Sequence, residues 1–419
     1  MVNNKKKIQV FFLIFSLVLT FIFFYSGLIH STYVPFWKIT SGDWSYKTYS
    51  NFKYFVDTQT VFLASECNKA GFNVFAGECL SEYGFKKGHA YGRSLLYLPL
   101  INDNFKNLFF IIYGSVLISS LIFIVFKLIN PKTIYENIIC LILILNPTTL
   151  LLFERLNFDL VIFLSLVLIV FLEGKYILKI LIKFLVFSFK FYPLIFIINF
   201  FIENQLNLKN KIFYSFLLIF ISSLLFFINL DDFIMVASNF KTIGRNIVYS
   251  FSLNAFSRII DHLFIIDKNI IKSVLILVLF FFSSICYMIF SKKIKTPLEY
   301  SPRTKLFFVS ANLLIVLYFF FNNNYFREVF FIGVVPYLLI ADNEKCLFSR
   351  ICLSLIVLKY FFMILFWPKV IFADINVDLF AQLVLGVKIF LDYIIIMALV
   401  TYMLKLNISV FKKTFESSV

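Results

Sequence analysis

Residues 107–129, NLFFIIYGSVLISSLIFIVFKLI, form an apolar stretch whose single charged residue, Lys127, lies near its end. A helix of about 20 apolar residues crosses the hydrocarbon core of a bilayer, so this stretch predicts a transmembrane helix. Similar stretches recur along the 419 residues, of which 61% are hydrophobic and 15% charged, with a mean hydropathy of +0.91. The sequence therefore predicts an all-α, polytopic protein in which residues 1–419 form a single integral membrane domain.

Apolar stretches of this kind predict about twelve transmembrane helices in all. The others lie at 8–28, 137–153, 160–172, 177–189, 191–203, 212–228, 269–291, 306–321, 328–341, 350–366 and 380–404. Several segments between 137 and 203 are short, so they span only if they are tilted or form broken helices packed within protein. These short segments leave the number of spans open by about two in either direction.

The distribution of basic residues predicts the orientation of the chain. The run 5–7, KKK, precedes the first span and places the amino terminus in the cytoplasm, and an even number of spans returns the carboxyl terminus there. The inner loops are rich in basic residues, among them Lys179, Lys211 and Lys305. The short outer loops contain only Arg155, Lys190, Arg327 and Lys369. This asymmetry indicates a multi-pass protein of the plasma (inner) membrane and accounts for the net charge of +16 without a nucleic-acid partner.

Two long polar segments lie outside the cytoplasm on this topology, from His30 to Lys106 and from Asn229 to Lys268. Polar groups cost free energy in or beside lipid, so a concentration of them marks a place to look for chemistry. The first segment contains Asp43, Asp57, Glu66, Cys67, Cys79, His89 and Arg93. An oxidising compartment allows Cys67 and Cys79 to form a disulfide, which we predict in preference to two free thiols.

Asp57 lies in the sequence YFVDTQTVFLASEC, residues 54–67, where apolar residues recur at roughly helical spacing. The pattern predicts an amphipathic helix on the outer membrane surface, with its apolar side in the interface and Asp57 facing a cavity. The alternative is a solvated carboxylate on the polar side of that helix. Spacing alone leaves both open.

Other polar residues fall at the outer tips between later apolar segments. The tip 153–159, FERLNFD, contains Glu154, Arg155, Asn157 and Asp159. Helix capping and an i,i+4 ion pair account for some of these residues, but not for all four together. Lys190 precedes Tyr192 and Pro193 at a helix break, where a lysine can also snorkel to the interface.

Arg327 follows Asn324 and Tyr325 in FFNNNYFREVFF, a density of hydrogen-bond donors that suits recognition of a phosphate. Lys388 and Asp392, one helical turn apart in the last span, indicate a self-neutralising structural pair. The histidines at 30, 89 and 262 are far apart, and no spacing typical of a metal site occurs. We therefore predict no metal ligands and no cofactor, while assistance by a divalent ion stays open.

The order of these motifs resembles a known family. The motifs are E-C, G-x-x-V-F and C (Glu66 to Cys79), E-R-x-N-x-D (Glu154 to Asp159), K-x-Y-P (Lys190 to Pro193) and N-x-x-R (Asn324 to Arg327). Together they look like the polytopic GT-C glycosyltransferases, most similar to glycosyltransferase family 87, which includes polyprenyl-phosphate-mannose-dependent α-1,2-mannosyltransferases. The resemblance implies a GT-C-like fold and transfer of a mannose-like hexose from a polyprenyl phosphate to a glycolipid or glycan of the cell envelope.

The chemistry of such a transfer suggests roles for the outer residues. It needs a base near the acceptor hydroxyl and cationic donors at the leaving phosphate. Asp57 is the first candidate for the base, with Asp43 as its rival, and an inverting displacement is expected. The candidates for binding the donor phosphate are Arg327, Lys190 and Arg93. The candidates for the sugar or acceptor pocket are Glu154, Arg155, Asn157, Asp159, Tyr192 and Asn324. The alternative function is a transporter or flippase of lipid-linked glycans, which needs similar cations.

Overall fold

A computed structural model describes residues 2–25, 55–79, 91–99, 101, 103–190, 192–203, 205–232, 234–235, 251–264, 267–294, 300–320, 325–372 and 379–416. Within these ranges the regular structure is helical and no strand occurs. The α-helices are α1 (Val2–Tyr25), α2 (Val56–Lys69), α3 (Asp103–Ile129), α4 (Ile134–Leu145), α5 (Pro147–Arg155), α6 (Phe158–Phe171), α7 (Tyr176–Phe189), α8 (Ile198–Phe201), α9 (Leu208–Ile228), α10 (Leu253–Phe264), α11 (Lys268–Phe290), α12 (Pro302–Phe320), α13 (Phe331–Asn343), α14 (Leu347–Phe372) and α15 (Leu379–Glu416). Short 3₁₀ helices occupy Arg93–Tyr97, Tyr192–Ile197 and Tyr325–Phe330.

Six helices of the described residues are long and apolar enough to cross a membrane. They are Leu108–Ile129, Leu208–Ile228, Lys268–Phe290, Pro302–Phe320, Leu347–Phe366 and Gln382–Val410. Each overlaps a span predicted from the sequence, and the class of helical membrane protein is confirmed. A bent pair, α4 and α5, would make a seventh span. The count of twelve stays a prediction, since the described residues contain six candidate spans, or seven with the bent pair.

The segment predicted as one span at 137–153 is instead broken into α4 and α5, which meet at 46°. The break follows from local sequence. Asn146 accepts hydrogen bonds from the backbone N–H groups of Thr148 and Thr149 and so caps α5, while Pro147 at its first position has no N–H to contribute to α4. A second cap, Asn157, starts α6 directly afterwards. Two helix ends therefore meet near residue 156, where they leave polar groups inside the bundle.

Exposed apolar side chains cover the outer surfaces of the long helices. On α3, α9 and α11 they include Leu108, Val116, Phe123, Phe213, Phe216, Leu277, Phe281 and Met288. A soluble monomer rarely exposes contiguous apolar surface on this scale, whereas lipid covers it without cost. By contrast α12 and α13 are buried and pack closely, since a Cβ at Gly333 would lie 2.2 Å from Ser310 Oγ. The bundle therefore has a dense protein core inside a lipid-compatible surface.

Helix α2 contains the predicted amphipathic stretch, but the prediction that its apolar side lies in the membrane interface is wrong. Its apolar side is buried in protein, where Phe62 packs against Phe109 and Phe110 of α3 with ring centroids 5.6 and 5.3 Å apart. Helical spacing of apolar residues indicates that one face is buried, but it does not distinguish a protein partner from lipid. The predicted disulfide is present: it joins Cys67, in the last turn of α2, to Cys79 and closes the segment between them.

Candidate functional site

The start of α2 is attached to the junction between α5 and α6. The backbone N–H of Phe55 donates to the carbonyl oxygen of Glu154 at 3.0 Å, and Thr58 Oγ1 donates to that of Leu156 at 2.6 Å. Leu156 has a left-handed backbone, with φ of 47°, which turns the chain sharply between the two helices. These contacts place Asp57, in the first turn of α2, beside the last residue of α5.

Asp57 is held by two donors from that junction. Arg155 Nε donates to Asp57 Oδ1 at 2.9 Å, and Arg155 Nη2 reaches the same oxygen. Asn157 Nδ2 donates to Asp57 Oδ2 at 2.6 Å. Arg155 and Asn157 are buried, while the Asp57 side chain stays 12% exposed. The carboxylate therefore has a fixed orientation, a neutralising cation and one edge that is accessible.

Asn157 connects Asp57 to a second carboxylate. Its Oδ1 accepts from the backbone N–H of Asp159 at 3.0 Å, which is the helix cap, and from Lys190 Nζ at 3.0 Å. Its Nδ2 also lies 3.3 Å from Tyr91 Oη. One buried amide thus joins residues from four parts of the chain.

Asp159 is buried and is held by the residues of the K-x-Y-P motif. Lys190 Nζ lies 2.8 Å from Asp159 Oδ1, and Tyr192 Oη donates to the same oxygen. Lys190 Nζ also lies 5.1 Å from the centroid of the Tyr91 ring. Burial lowers the pKa of Lys190, and the Asp159 carboxylate opposes that effect. Burial, together with Asp57 and Asp159, raises the pKa of Tyr91 well above its ordinary value, so its hydroxyl keeps its proton.

Arg327 reaches the same region from the 3₁₀ helix that precedes α13. Its Cζ lies 4.8 Å from the centroid of the Tyr192 ring, a distance typical of a cation–π contact. Its charge acts on Asp159, Lys190 and Tyr91. The guanidinium therefore adds a third cation to the region that contains Arg155 and Lys190.

Glu154 differs from the other acidic residues here. It is buried, and neither of its carboxylate oxygens has a hydrogen-bond partner among the residues that the structure describes. It interacts electrostatically with the charges of Arg155 and Asp57. A buried carboxyl group without a partner is costly, so it is a natural acceptor for a ligand hydroxyl.

A close backbone contact holds Tyr91 in place. The N–H of Gly92 donates to the carbonyl oxygen of Phe189 at 2.9 Å, and Ser94 Oγ donates to that of Ser188 at 2.8 Å. A Cβ at Gly92 would lie 1.8 Å from the Ser188 oxygen. Only glycine lets residues 91–99 approach the end of α7 this closely.

The structure brings together most of the residues that the sequence singled out, and we name this group the site cluster. It consists of Asp57, Glu154, Arg155, Asn157, Asp159, Lys190, Tyr192 and Arg327. Arg93, a predicted phosphate ligand, is instead half-exposed and paired with Asp232, with Nε and Oδ2 2.6 Å apart. Asp43 and Asn324 lie outside the described residues. Among the residues described, no group of three His, Cys, Asp or Glu side chains is arranged to hold a metal ion.

A second set of buried charges was only half anticipated. The predicted pair of Lys388 and Asp392 is present, with Nζ and Oδ2 2.5 Å apart, but two further residues join it. Lys359 Nζ lies 2.8 Å from Glu328 Oε2 and 2.6 Å from Asp392 Oδ1, and Lys388 Nζ lies 3.3 Å from Glu328 Oε1. We name these four residues the four-charge network. The signal available in the sequence was the lone lysine within LIVLKYFFMIL, residues 355–365.

No protein-family model, no curated protein and no solved structure matches this chain. The resemblance to GT-C glycosyltransferases therefore stays a prediction from short motifs. The function is argued from the chemistry of the site cluster.

Proposed function

We propose that this protein is a membrane glycosyltransferase that moves a mannose-like hexose from a polyprenyl-phosphate donor to a glycolipid or glycan acceptor. Transfer would occur at the extracytoplasmic face of the plasma membrane, which is the side that the distribution of basic residues predicts for the site cluster. A donor with a lipid tail accounts for a site enclosed by membrane helices. No nucleotide is released in such a reaction, so no nucleotide-binding fold is required.

The observation that carries the proposal is the composition of the site cluster. Three cations and three carboxyl groups from four separate parts of the chain meet at one end of α6 and α7. Buried charges are costly in a membrane protein, and they are usually functional where they occur. Cations suit a phosphate and carboxyl groups suit sugar hydroxyls, so the cluster has the chemistry for both halves of a glycosyl phosphate.

Arg327 and Lys190 are the proposed ligands of the donor phosphate. The bond between the anomeric carbon and the phosphate oxygen breaks as the acceptor oxygen bonds to that carbon from the opposite side. Negative charge then develops on the leaving phosphate, where a guanidinium and an ammonium stabilise it. Tyr192 positions both groups, because its ring lies under Arg327 and its hydroxyl contacts the Asp159 carboxylate beside Lys190.

Asp57 is the proposed base, which takes the proton of the acceptor hydroxyl as the new bond forms. Its Oδ2 accepts one hydrogen bond, from Asn157, and an ionised carboxylate oxygen has room for a second. Arg155 holds the other oxygen and fixes the direction of the first. Glu154 would accept hydrogen bonds from hydroxyls of the bound sugar, since its own oxygens have no partner in the described part of the protein.

The test is a transfer assay with purified protein, polyprenyl-phosphate hexose and a membrane glycan acceptor. Asp57→Asn keeps the shape of the side chain but cannot take a proton, so we expect a loss of roughly a hundredfold or more in rate. Asp43→Asn should retain activity, and Asp231→Asn, at an exposed carboxylate, is the matched control. Full activity of Asp57→Asn with loss in Asp43→Asn would transfer the role to Asp43.

The four-charge network favours a second candidate, a transporter or flippase of lipid-linked glycans. Lys359 and Lys388 lie inside two candidate spans, and ionisable residues within a bundle often mark a transport path. Reconstitution separates the two functions. Movement of labelled lipid-linked sugar across vesicles, without any transfer to an acceptor, would contradict the glycosyltransferase proposal.

A further inference from the structure

Tyr91 lies among the charged residues of the site cluster but has no charge itself. Four of those residues act electrostatically on its phenol group, namely Asp57, Arg155, Asp159 and Arg327. A fifth, Lys190, lies with its Nζ 5.1 Å from the centroid of the tyrosine ring. The proposed base and the proposed phosphate ligands therefore both lie close to this one side chain.

The hydroxyl of Tyr91 contacts the amide that holds the proposed base. Asn157 Nδ2 donates to Asp57 Oδ2 at 2.6 Å and also donates to Tyr91 Oη at 3.3 Å. An amide nitrogen has two hydrogens, one for each of these oxygens. Because both hydrogens are used, the plane of the amide is fixed, and so is the direction from which it approaches the Asp57 carboxylate.

The ring of Tyr91 contacts the opposite side of the site cluster. The distance of 5.1 Å between Lys190 Nζ and the ring centroid is typical of a cation–π contact. Lys190 Nζ also donates to Asn157 Oδ1 at 3.0 Å, so the lysine and the base share the same amide. Tyr91 thus contacts the phosphate side through its ring and the base side through its hydroxyl.

The position of Tyr91 is fixed by parts of the chain on three sides. Its ring lies 5.4 Å from that of Phe158 in α6, which in turn packs against Phe189 in α7 at 5.9 Å. The apolar cluster that Tyr91 packs against also contains Val61 of α2. The backbone hydrogen bond from Gly92 to Phe189 holds the next residue. Neither the ring nor the hydroxyl has much freedom to move.

The proposed displacement requires a fixed distance between the base and the phosphate ligands. The acceptor oxygen, the anomeric carbon and the leaving phosphate oxygen must lie in line, and a small misplacement of these atoms slows such a reaction strongly. The hexose lies between the two sides during transfer. A rigid side chain that contacts both sides can hold them at the separation that the hexose needs.

We propose that Tyr91 is a positioning residue that sets the spacing between the base Asp57 and the phosphate ligand Lys190. The hydroxyl acts on the base through Asn157, and the ring acts directly on the ammonium. The proposal rests on the proposed glycosyl transfer and adds to that site a residue that does not react itself. If Tyr91 only filled space, its loss would lower stability and would not separate kcat from KM.

The first test compares two substitutions of Tyr91 in the transfer assay. Burial raises the pKa of Tyr91 well above its ordinary value, so Tyr91→Phe removes a hydrogen bond and not a charge. We expect kcat to fall about two- to tenfold, as for loss of one hydrogen bond between neutral groups, with the KM for the donor unchanged. Tyr91→Leu also removes the cation–π contact, so the KM for the donor should rise by about two- to tenfold as well.

Tyr97 provides the matched control, because it lies in the same 3₁₀ helix as the start of this segment and its side chain is 70% exposed. Tyr97→Phe and Tyr97→Leu should alter neither kcat nor KM. If Tyr91→Leu does not fold, Tyr91→Phe still decides the role of the hydroxyl, since it keeps the ring and its packing. An unchanged kcat in Tyr91→Phe would overturn the proposal.

The second test asks whether the hydroxyl acts through Asn157. Tyr91→Phe is introduced into protein that already has Asn157→Ser, where the amide is absent. We expect no further fall in kcat, because two changes in one hydrogen-bond chain are not additive. The same fold-change in both backgrounds would overturn the proposal.

The outcomes separate this proposal from the function on which it rests. Absence of transfer by the unaltered protein would contradict both. Transfer by the unaltered protein, together with Tyr91 variants that match the Tyr97 controls, would overturn the role of Tyr91 alone. A lower unfolding temperature in both Tyr91 variants with unchanged kinetics would likewise overturn it, because the residue would then serve only in packing.

Discussion

The site cluster and the four-charge network are both sets of buried charges, but they are balanced in different ways. In the network, Glu328 and Asp392 each contact both Lys359 and Lys388, so two anions and two cations neutralise one another. In the site cluster the ion pairs are separate and are joined through the amide of Asn157. A closed arrangement leaves little charge for a ligand. An open arrangement keeps charge available, at some cost in stability.

The largest loss of stability is expected when one charge is removed from the four-charge network. Lys359→Met leaves Glu328 and Asp392 with only one buried lysine between them, so we expect a loss of about 3–5 kcal/mol in the free energy of unfolding. The loss is measured by denaturant or thermal unfolding in detergent. The double variant Lys388→Met/Asp392→Leu is the control, because it removes one charge of each sign and keeps the pair of Lys359 and Glu328. If the single change cost no more than the double, charge balance would not be what stabilises the network.

A smaller change in free energy is expected in the site cluster. It should affect binding of the donor and not the stability of the protein. Arg327→Gln removes a cation proposed to contact the donor phosphate, and a hydrogen bond to a charged group contributes about 1.5–3 kcal/mol. We therefore expect the KM for the donor to rise about ten- to hundredfold, while the unfolding temperature changes little. Arg350→Gln, at an exposed arginine paired with Asp342, serves as the control. A large drop in unfolding temperature with unchanged KM would place Arg327 with the network and not with the site.

The smallest change in stability is expected at the link between the two carboxylates of the site. Serine caps a helix about as well as asparagine, so Asn157→Ser should cost less than about 1 kcal/mol of stability. It removes the amide that donates to Asp57, so the transfer rate should fall at least about tenfold. Asn207→Ser changes another helix cap, at the start of α9, and should alter neither quantity. Equal loss of stability and no loss of rate would show that Asn157 serves only as a cap.

The sequence predicted the long spans well because their signal is local. The segments predicted at 107–129 and 269–291 agree closely with the spans Leu108–Ile129 and Lys268–Phe290. The bend at Asn146 and Pro147 also had a local signal, because asparagine caps helices and proline starts them. The prediction of a span at 137–153 considered only how apolar the segment is, so it missed the bend. Hydropathy measures how apolar a segment is. It does not indicate where the backbone hydrogen bonds of a helix end.

Partners distant in sequence were much harder to predict. The motifs identified Asp57, Arg155 and Lys190 as candidates, but nothing in them indicated that Arg155 pairs with Asp57 across 98 positions. Lys359 escaped notice because its two partners lie in other helices. Whether a buried charge is balanced depends on tertiary packing, which apolar periodicity does not encode.

The 3₁₀ helix Tyr325–Phe330 belongs to both groups of charges, since Arg327 contacts Tyr192 of the site cluster and the next residue, Glu328, is paired with Lys359. A single turn of backbone cannot move one of these residues without moving the other. If a ligand binds at Arg327 as proposed, occupancy of the site would be thermodynamically linked to order in the bundle interior, and such linkage is reciprocal. A ligand that favours one position of Arg327 would then strengthen the packing around Glu328, and a change that loosens that packing would weaken binding of the ligand by the same factor.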